Sequence, residues 1–228
     1  MTLAQLLFTQ GFGSRRECAG LIAAGAVAID GRVRDDPHEE LDVEGLVFSV
    51  RGQAWSYRER ALLVMNKPAD HECSQKARHH ASVYTLLPAP LRRRGVQAVG
   101  RLDADTTGVL LFTDDGGLIH RLTSPKHHVA KVYEVRCVHP VDAGQLARLR
   151  EGVVLHDDPA PVRAEGCEAT GASTLRLTLV EGKYHQVKRM VAAAGNRVEA
   201  LHRSAFGPVR VDDLAPGAWR WVDEAIGA

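Results

Sequence analysis

Leu3, Leu6 and Leu7 recur at helical spacing, and Gly11 and Gly13 end the helix that this spacing predicts. Ser14-Arg15-Arg16-Glu17 follows as an S-x-x-E box, in which Ser14 accepts from the Glu17 backbone N–H and Glu17 reaches back. A second helix runs through Cys18, Leu21 and Ile22 and stops near Gly25. Val27 and Ile29 alternate as a short strand, Asp30-Gly31 signals a tight hairpin turn, and Val33 opens the return strand. From residue 41 to 60 neither period is strong, and the stretch reads as the end of a small domain plus a linker.

The apolar run at 61–65 predicts the first strand of a second domain, and 109–113 another. Asp114-Asp115-Gly116-Gly117 turns into a helix over 118–122 that Pro125 stops. Residues 131–138 read as a strand, and Leu175, Leu177 and Leu179 alternate with Arg176 and Thr178 as a half-buried one. A helix over 183–194 ends at Gly195-Asn196, and short strands follow at 198–201 and 209–211. Trp219 and Trp221, on either side of Arg220, read as strand packing, and Asp157-Asp158 as a surface turn before Pro159. Strands and helices do not alternate in a βαβ rhythm, so the class is α+β, with domains at 1–58 and 59–228.

Composition narrows the function classes. Apolar residues make up 45% and charged residues 25% of the 228, as in a globular protein. No apolar run reaches the roughly 18 residues of a membrane span, and 1–10 carry no Lys or Arg, so neither a membrane role nor export is expected. Cys18, Cys73, Cys137 and Cys167 lack CxxC spacing, which fits buried or bystander thiols in a reducing, cytoplasmic compartment. The net charge is only +1, but residues 1–58 carry a net −2 and the rest a net +3. The basic residues cluster at Arg92-Arg93-Arg94, at Lys126 with His127 and His128, and at Lys188-Arg189, a distribution that suits nucleic acid better than the sum does. His127-His128 has no carboxylate or cysteine at ligand spacing, and no glycine-rich phosphate loop is present, so no metal or organic cofactor is expected.

The stretch VGRLDADTTGVLLFTDDG carries the densest candidate chemistry. Gly100, Arg101, Asp103 and Asp105 stand just ahead of an apolar strand. Carboxylates beside a cation suit a metal site, a glycosidase-like pair or an ion-paired nucleophile, and spacing alone does not choose among them, nor does it exclude a turn capped by aspartates.

Two resemblances do choose. GFGSRRECAGLIAAGAVAIDGRV resembles the S4-like RNA-binding domain, two short helices and a hairpin, which implies RNA contact by Arg15, Arg16, Arg32 and Arg34. Over nearly the whole chain, VMNKPADHECS, GRLDADTTGVLLFTDDG, KVYEV, EGKYHQVKRM and VEALHR resemble, in order, the motifs of the small-subunit ribosomal RNA pseudouridine synthases. That resemblance implies a mixed, mainly antiparallel catalytic sheet and a cofactor-free isomerase. It places the catalytic aspartate at Asp103, the active-site tyrosine at Tyr133 and its basic partner at Lys188, with Arg189 as fallback. It places the apolar residue against the uracil at Leu201. Arg101 and Lys67 are expected to contact the RNA. TSPKHH is similar to the branch acting on 16S ribosomal RNA, which implies uridine 516 as target. The expected partner is 16S RNA or a small-subunit assembly intermediate, and the expected state a monomer. The rival readings are a 23S-directed enzyme of the same family, a non-catalytic RNA-binding module, and a nucleoside hydrolase using Asp103 and Asp105.

Overall fold

In the computed structural model, which describes residues 1–156, 158–223 and 226, the chain divides into two compact units. The first holds Met1–Ala61 and Leu87–Gln97, the second Leu62–Leu86 and Ala98–Ala228.

In the first unit, α1 (Leu3–Thr9) starts at a capping box between Thr2 and Gln5, and α2 (Arg15–Ala23) at the one between Ser14 and Glu17. These caps satisfy backbone donors that short helices otherwise leave open. The strands β1 (Val27–Ile29), β2 (Arg32–Val33), β3 (Val47–Val50) and β4 (Gln53–Ser56) form an antiparallel sheet in the order β2-β1-β3-β4. The hairpin β3–β4 lies within 41–60, which reads from sequence as the end of the small domain plus a linker, and it makes 47–56 part of the first unit's sheet. Its two-residue turn, Arg51-Gly52, has φ of 53° and 78°, the left-handed pair of a type I′ turn. Arg-Gly is a weaker turn signal than Asn-Gly or Asp-Gly, and strands of four residues hardly reveal a period. Leu3, Leu6, Leu7, Ile22, Val27 and Phe48 make the core, on which Phe12 packs edge-on to Phe48 and Trp55. A short helix, α3 (Ala89–Arg93), completes the unit. Arg93 donates to the Phe12 carbonyl at 3.1 Å, and Arg94 donates to Gln10 and to the Arg58 carbonyl, each at 2.9 Å.

The second unit begins with β5 (Leu62–Lys67), the short parallel pair β6 (His71–Glu72) and β7 (Ala81–Ser82), and β8 (Gln97–Ala98), where the chain passes back into it. Then come β9 (Thr107–Thr113), α4 (Gly116–Thr123), β10 (Lys131–Cys137), α5 (Ala143–Glu151) and the hairpin β11 (Val153–Leu155) and β12 (Asp158–Val162). The remainder is β13 (Gly166–Gly171), β14 (Thr174–Leu179), α6 (Gln186–Ala193), β15 (Val198–Phe206), β16 (Val209–Arg210) and β17 (Trp219–Trp221). The main sheet runs β13-β14-β10-β15-β9-β5-β17, with β16 beside β15. Neighbours along this path are antiparallel except β15 and β9, which run parallel. This is the α+β architecture with a mixed sheet.

From Gly108 to Thr113 the central strand β9 is buried without interruption, which is why its sequence reads as an apolar run and not as an alternation. Val64, Val109, Leu111, Leu122, Phe206 and Val209 form the core on one face. The parallel step matters for placement: His202 pairs with Thr107 and Arg203 with Gly108. Leu201 therefore stands just beyond the start of β9, level with the loop that carries Asp103. At the same step Gly108 has φ of 103°, and a Cβ built on it would lie 2.2 Å from the Arg203 carbonyl oxygen.

Asp157 lies outside the described residues. Asp158 is not a free turn residue: it opens β12 and pairs with Lys183. The helix expected from Lys183 begins only at Gln186, after a loop whose last residue, His185, has φ of 48°.

Candidate active site

The loop ahead of β9 is fixed from below by a buried cation. Lys67, the last residue of β5, donates from Nζ to the carbonyls of Pro68, Ala104 and Thr106 at 2.8–3.0 Å. The turn it grips is closed by the Thr106 N–H on the Asp103 carbonyl, 3.1 Å. On the other side of Asp103, the Leu102 N–H donates to the Cys73 thiol sulfur at 3.4 Å. The backbone of Asp103 is thus held on both flanks. Lys67 is fully buried, which corrects its expected contact with RNA: three carbonyls occupy all of its donors. Burial pushes the Lys67 ammonium down, and the nearby Cys73, Asp105, Asp103 and Asp70 oppose the shift.

Lys67→Met is therefore expected to act on stability and turnover, not on the electrostatics of RNA binding. It leaves three carbonyls without their donor, worth roughly 2–4 kcal/mol together. Thermal unfolding should show that loss, while the salt dependence of RNA binding stays that of the wild type. A flatter salt dependence in this variant would return Lys67 to the RNA.

Asp103 projects into a cavity of about 130 Å³ that Arg101, Tyr133, Lys188 and Leu201 also line. Tyr133 lies on β10, paired with Leu177 on one side and Arg203 on the other, opposite a bulge of β15 in which Ser204 is the extra residue between Arg203 and Ala205. Tyr133 and Leu201 are both almost wholly buried. From α6, Lys188 sends Nζ to 3.1 Å from Asp103 Oδ2 and donates to both oxygens of Asp105, at 2.7 and 2.9 Å. Its neighbour Arg189 donates to the Tyr184 carbonyl at 3.0 Å, in the loop leading into its own helix.

One ammonium therefore joins two carboxylates. Burial would raise the Asp105 carboxyl, but the bonds and charge of Lys188 outweigh it and hold the carboxyl below its ordinary value. Burial would likewise lower Lys188, and its bonds to Asp105 and Asp103 raise it instead. A depressed carboxyl keeps its contribution until pH falls through the depressed value. A raised amine keeps its own until pH rises through the raised one. The link between Lys188 and Asp105 consequently spans the whole neutral range, and Asp105 is unsuited to act as a general acid there.

Three cavity residues escape a reading of the sequence motifs. His185 Nε2 lies 3.1 Å from Asp103 Oδ1. Its signal is the three-residue spacing to Lys188. Lys131 and Arg203 also line the cavity, both buried. Each stands two residues from a recognised one, Tyr133 and Leu201, and so on the same face of its strand. Burial, with Arg203 adding to it and Glu181 opposing, pushes Lys131 down to about 8. Among the described residues no three His, Cys, Asp or Glu side chains converge as a metal-binding group, and no helix is long and apolar enough to cross a membrane.

In the first unit Arg15, Arg16 and Arg32 are exposed, with the Arg15 guanidinium 4.8 Å above the Phe8 ring. Arg34 is half-buried and bound to Glu39 at 2.7 Å.

Comparison with known proteins agrees with both units. A family model described as RNA pseudouridylate synthase matches residues 61–193, and an S4 domain model matches residues 1–47. An uncharacterised RNA pseudouridine synthase of Bacillus subtilis is 41% identical, covering 98% of this chain and 95% of its own. The ribosomal small subunit pseudouridine synthase A of Escherichia coli is 38% identical, covering 94% of each. A crystal structure of a pseudouridylate synthase superposes with a TM-score of 0.68 at 33% identity, over 97% of this chain and 96% of that one.

Proposed function

Because this chain belongs to the RNA pseudouridylate synthase family, an RNA isomerase with an S4 domain at its N-terminal end, we propose that it converts one uridine of 16S ribosomal RNA to pseudouridine, at position 516. The supporting observation is the Lys188–Asp103 contact of 3.1 Å at a cavity walled by Tyr133 and Leu201. Full-length similarity to proteins named for the small ribosomal subunit supports the 16S target.

The chemistry assigns each side chain a task. The target base leaves its stack, at a cost of roughly a few kcal/mol, and enters the cavity. There Tyr133 and Leu201 offer a flat ring and an apolar surface to the uracil. The bond from N1 to the sugar breaks, the ring turns, and C5 bonds to the same carbon. The proton leaving C5 balances the one taken up at N1. Asp103 faces the sugar carbon, where attack and charge stabilisation both require a carboxylate. Lys188 and His185 hold that carboxylate in place, and the Tyr133 hydroxyl relays the C5 proton, releasing its own to water as it takes the new one. Arg101, exposed at the rim, grips backbone phosphate. The sequence is redox-neutral and needs no metal or organic cofactor. We place the enzyme in the cytoplasm, as a monomer acting on naked RNA or a small-subunit assembly intermediate.

The decisive experiment maps pseudouridine across ribosomal RNA from a strain lacking the gene. One 16S site should lose its modification and regain it on complementation. An unchanged map would sink the reading, and a loss confined to 23S RNA would move the target to the other branch.

We assign RNA gripping to the first unit and the chemistry to the second. Phosphate contacts orient a protein and make its binding salt-dependent. The triple variant Arg15→Ala, Arg16→Ala, Arg32→Ala should lower the slope of log affinity against log salt by about 2 to 3. Arg34→Ala should change it less, because Glu39 already neutralises that charge. Equal effects at Arg34 and at the exposed arginines would count against this division. Point variants suit the test better than a cut after residue 58, which would separate α3 from the Phe12, Gln10 and Arg58 atoms it holds.

A further inference from the structure

We propose that Tyr184 and His185 form a stacking platform for the nucleobase next to the target uridine. The proposal rests on the isomerase reading above and adds a second base-binding position to it. Tyr184 is 69% exposed, an unusual state for a ring at the mouth of a buried site. Its ring stacks on the His185 imidazole, with centroids 3.7 Å apart and planes 21° apart. One face is thereby covered, and the exposure belongs to the other.

The local backbone is arranged for this pair. His185 occupies the N-cap of α6 in a left-handed conformation, φ 48°, and makes no side-chain capping bond. Histidine is among the residues that tolerate this backbone, but the usual helix caps are Ser, Thr, Asp and Asn. What the histidine gains is reach: its Nε2 touches Asp103 while its ring carries Tyr184. Tyr184 and His185 also line a groove with Cys73, Ser74 and Arg101, and that groove shares Arg101, Asp103 and His185 with the cavity for the flipped base. A base beside the target therefore meets an open aromatic face, with Arg101 between the two positions to take the linking phosphate. Stacking accepts any base, since every base has a π-face. A base seated on Tyr184 also presses the stack onto His185 and so steadies Asp103.

The test is a binding cycle. The probe is a short single-stranded RNA of adenosines with one central uridine, together with two versions in which the residue 5′ or 3′ of the uridine is abasic. One abasic version should bind the wild type about tenfold more weakly than the parent, the size of a base–aromatic stack. Tyr184→Leu keeps an apolar group over the imidazole but removes the flat face. It should bind the parent about tenfold more weakly and lose nothing further on the abasic RNA. Tyr184→Trp should bind as the wild type does. Circular dichroism checks that each variant is folded. The platform is overturned if Tyr184→Leu binds the parent like the wild type, if neither abasic RNA weakens the wild type, or if base removal weakens both proteins equally. Conversion of ribosomal RNA is scored separately. An inactive wild type that still shows the coupling removes the isomerase reading alone, and an active one without it removes the platform alone.

Discussion

Asp103→Asn is expected to lower turnover on ribosomal RNA at least about 10³-fold while leaving RNA affinity within a few-fold of the wild type. Asparagine has the shape of aspartate but brings no negative charge to the sugar carbon, so whatever the carboxylate does in the transition state is lost. The fold should tolerate the change. Lys188 keeps both of its bonds to Asp105, and the turn around residue 103 is held by main-chain contacts to Lys67 and Cys73. The comparison with Asp105→Asn sharpens the result. Asp105 is 70% exposed at its side chain and is already bound to Lys188 through both oxygens. If it only steadies that lysine, its loss should cost less than tenfold. A hydrolase built on two carboxylates would lose activity to a similar degree in both variants and would release free uracil. Single-turnover assays with filter binding on the same preparations separate these outcomes. Wild-type turnover in Asp103→Asn would remove the residue from the reaction.

Gly108→Ala is expected to destabilise the second unit by about 3 kcal/mol or more, and so to lower its unfolding temperature by roughly 6–12 °C. Two effects add. The position has φ of 103°, which side-chain-bearing residues rarely adopt, and the new methyl would meet the Arg203 carbonyl at 2.2 Å. Neither neighbour can step aside. Gly108 pairs with Lys67 on one flank and Arg203 on the other, and Arg203 is itself pinned by its Nε donating to the Val109 carbonyl at 2.8 Å. Gly116→Ala is the control. Nothing lies within 4 Å of the added carbon at that position, in the first turn of α4, and the change should be neutral or slightly stabilising. Unfolding temperatures of Gly108→Ala and wild type within 2 °C of each other would show that the parallel step has slack the geometry does not suggest.

The sequence shows local structure where it obeys one rule at a time. Ser14 and Glu17 announce α2, the leucines announce α1, and the unbroken apolar stretch before Asp114 announces the central strand. Residues 47–56 hide a hairpin because four-residue strands carry little periodicity and Arg51 is not a typical turn residue. Within the cavity, Asp103, Tyr133, Lys188 and Leu201 stand in ordered motifs and could be picked out one by one. Lys67 could not be placed correctly, since nothing in Asn-Lys-Pro distinguishes a lysine facing solvent from one that ends a buried strand and grips a loop 37 residues away. His185, Lys131 and Arg203 become visible only when strands and helix converge. Their roles are relations between distant segments, which no local pattern encodes.

The excursion of Leu87–Gln97 into the first unit bears on how the protein is made. N-terminal domains commonly fold as they leave the ribosome, before the next domain exists. This one cannot finish that way. When residue 61 emerges, the receptors for α3, namely the Phe12 carbonyl, Gln10 and the Arg58 carbonyl, are present but their arginines have not yet emerged. At roughly 5–20 residues per second the wait lasts on the order of seconds. In that interval β5 and the segment after it emerge, with both strands that β5 pairs with, β9 and β17, still to come. Assembly of the two units is therefore interleaved in time, and the N-terminal one is closed by a piece of chain translated in the middle of the other.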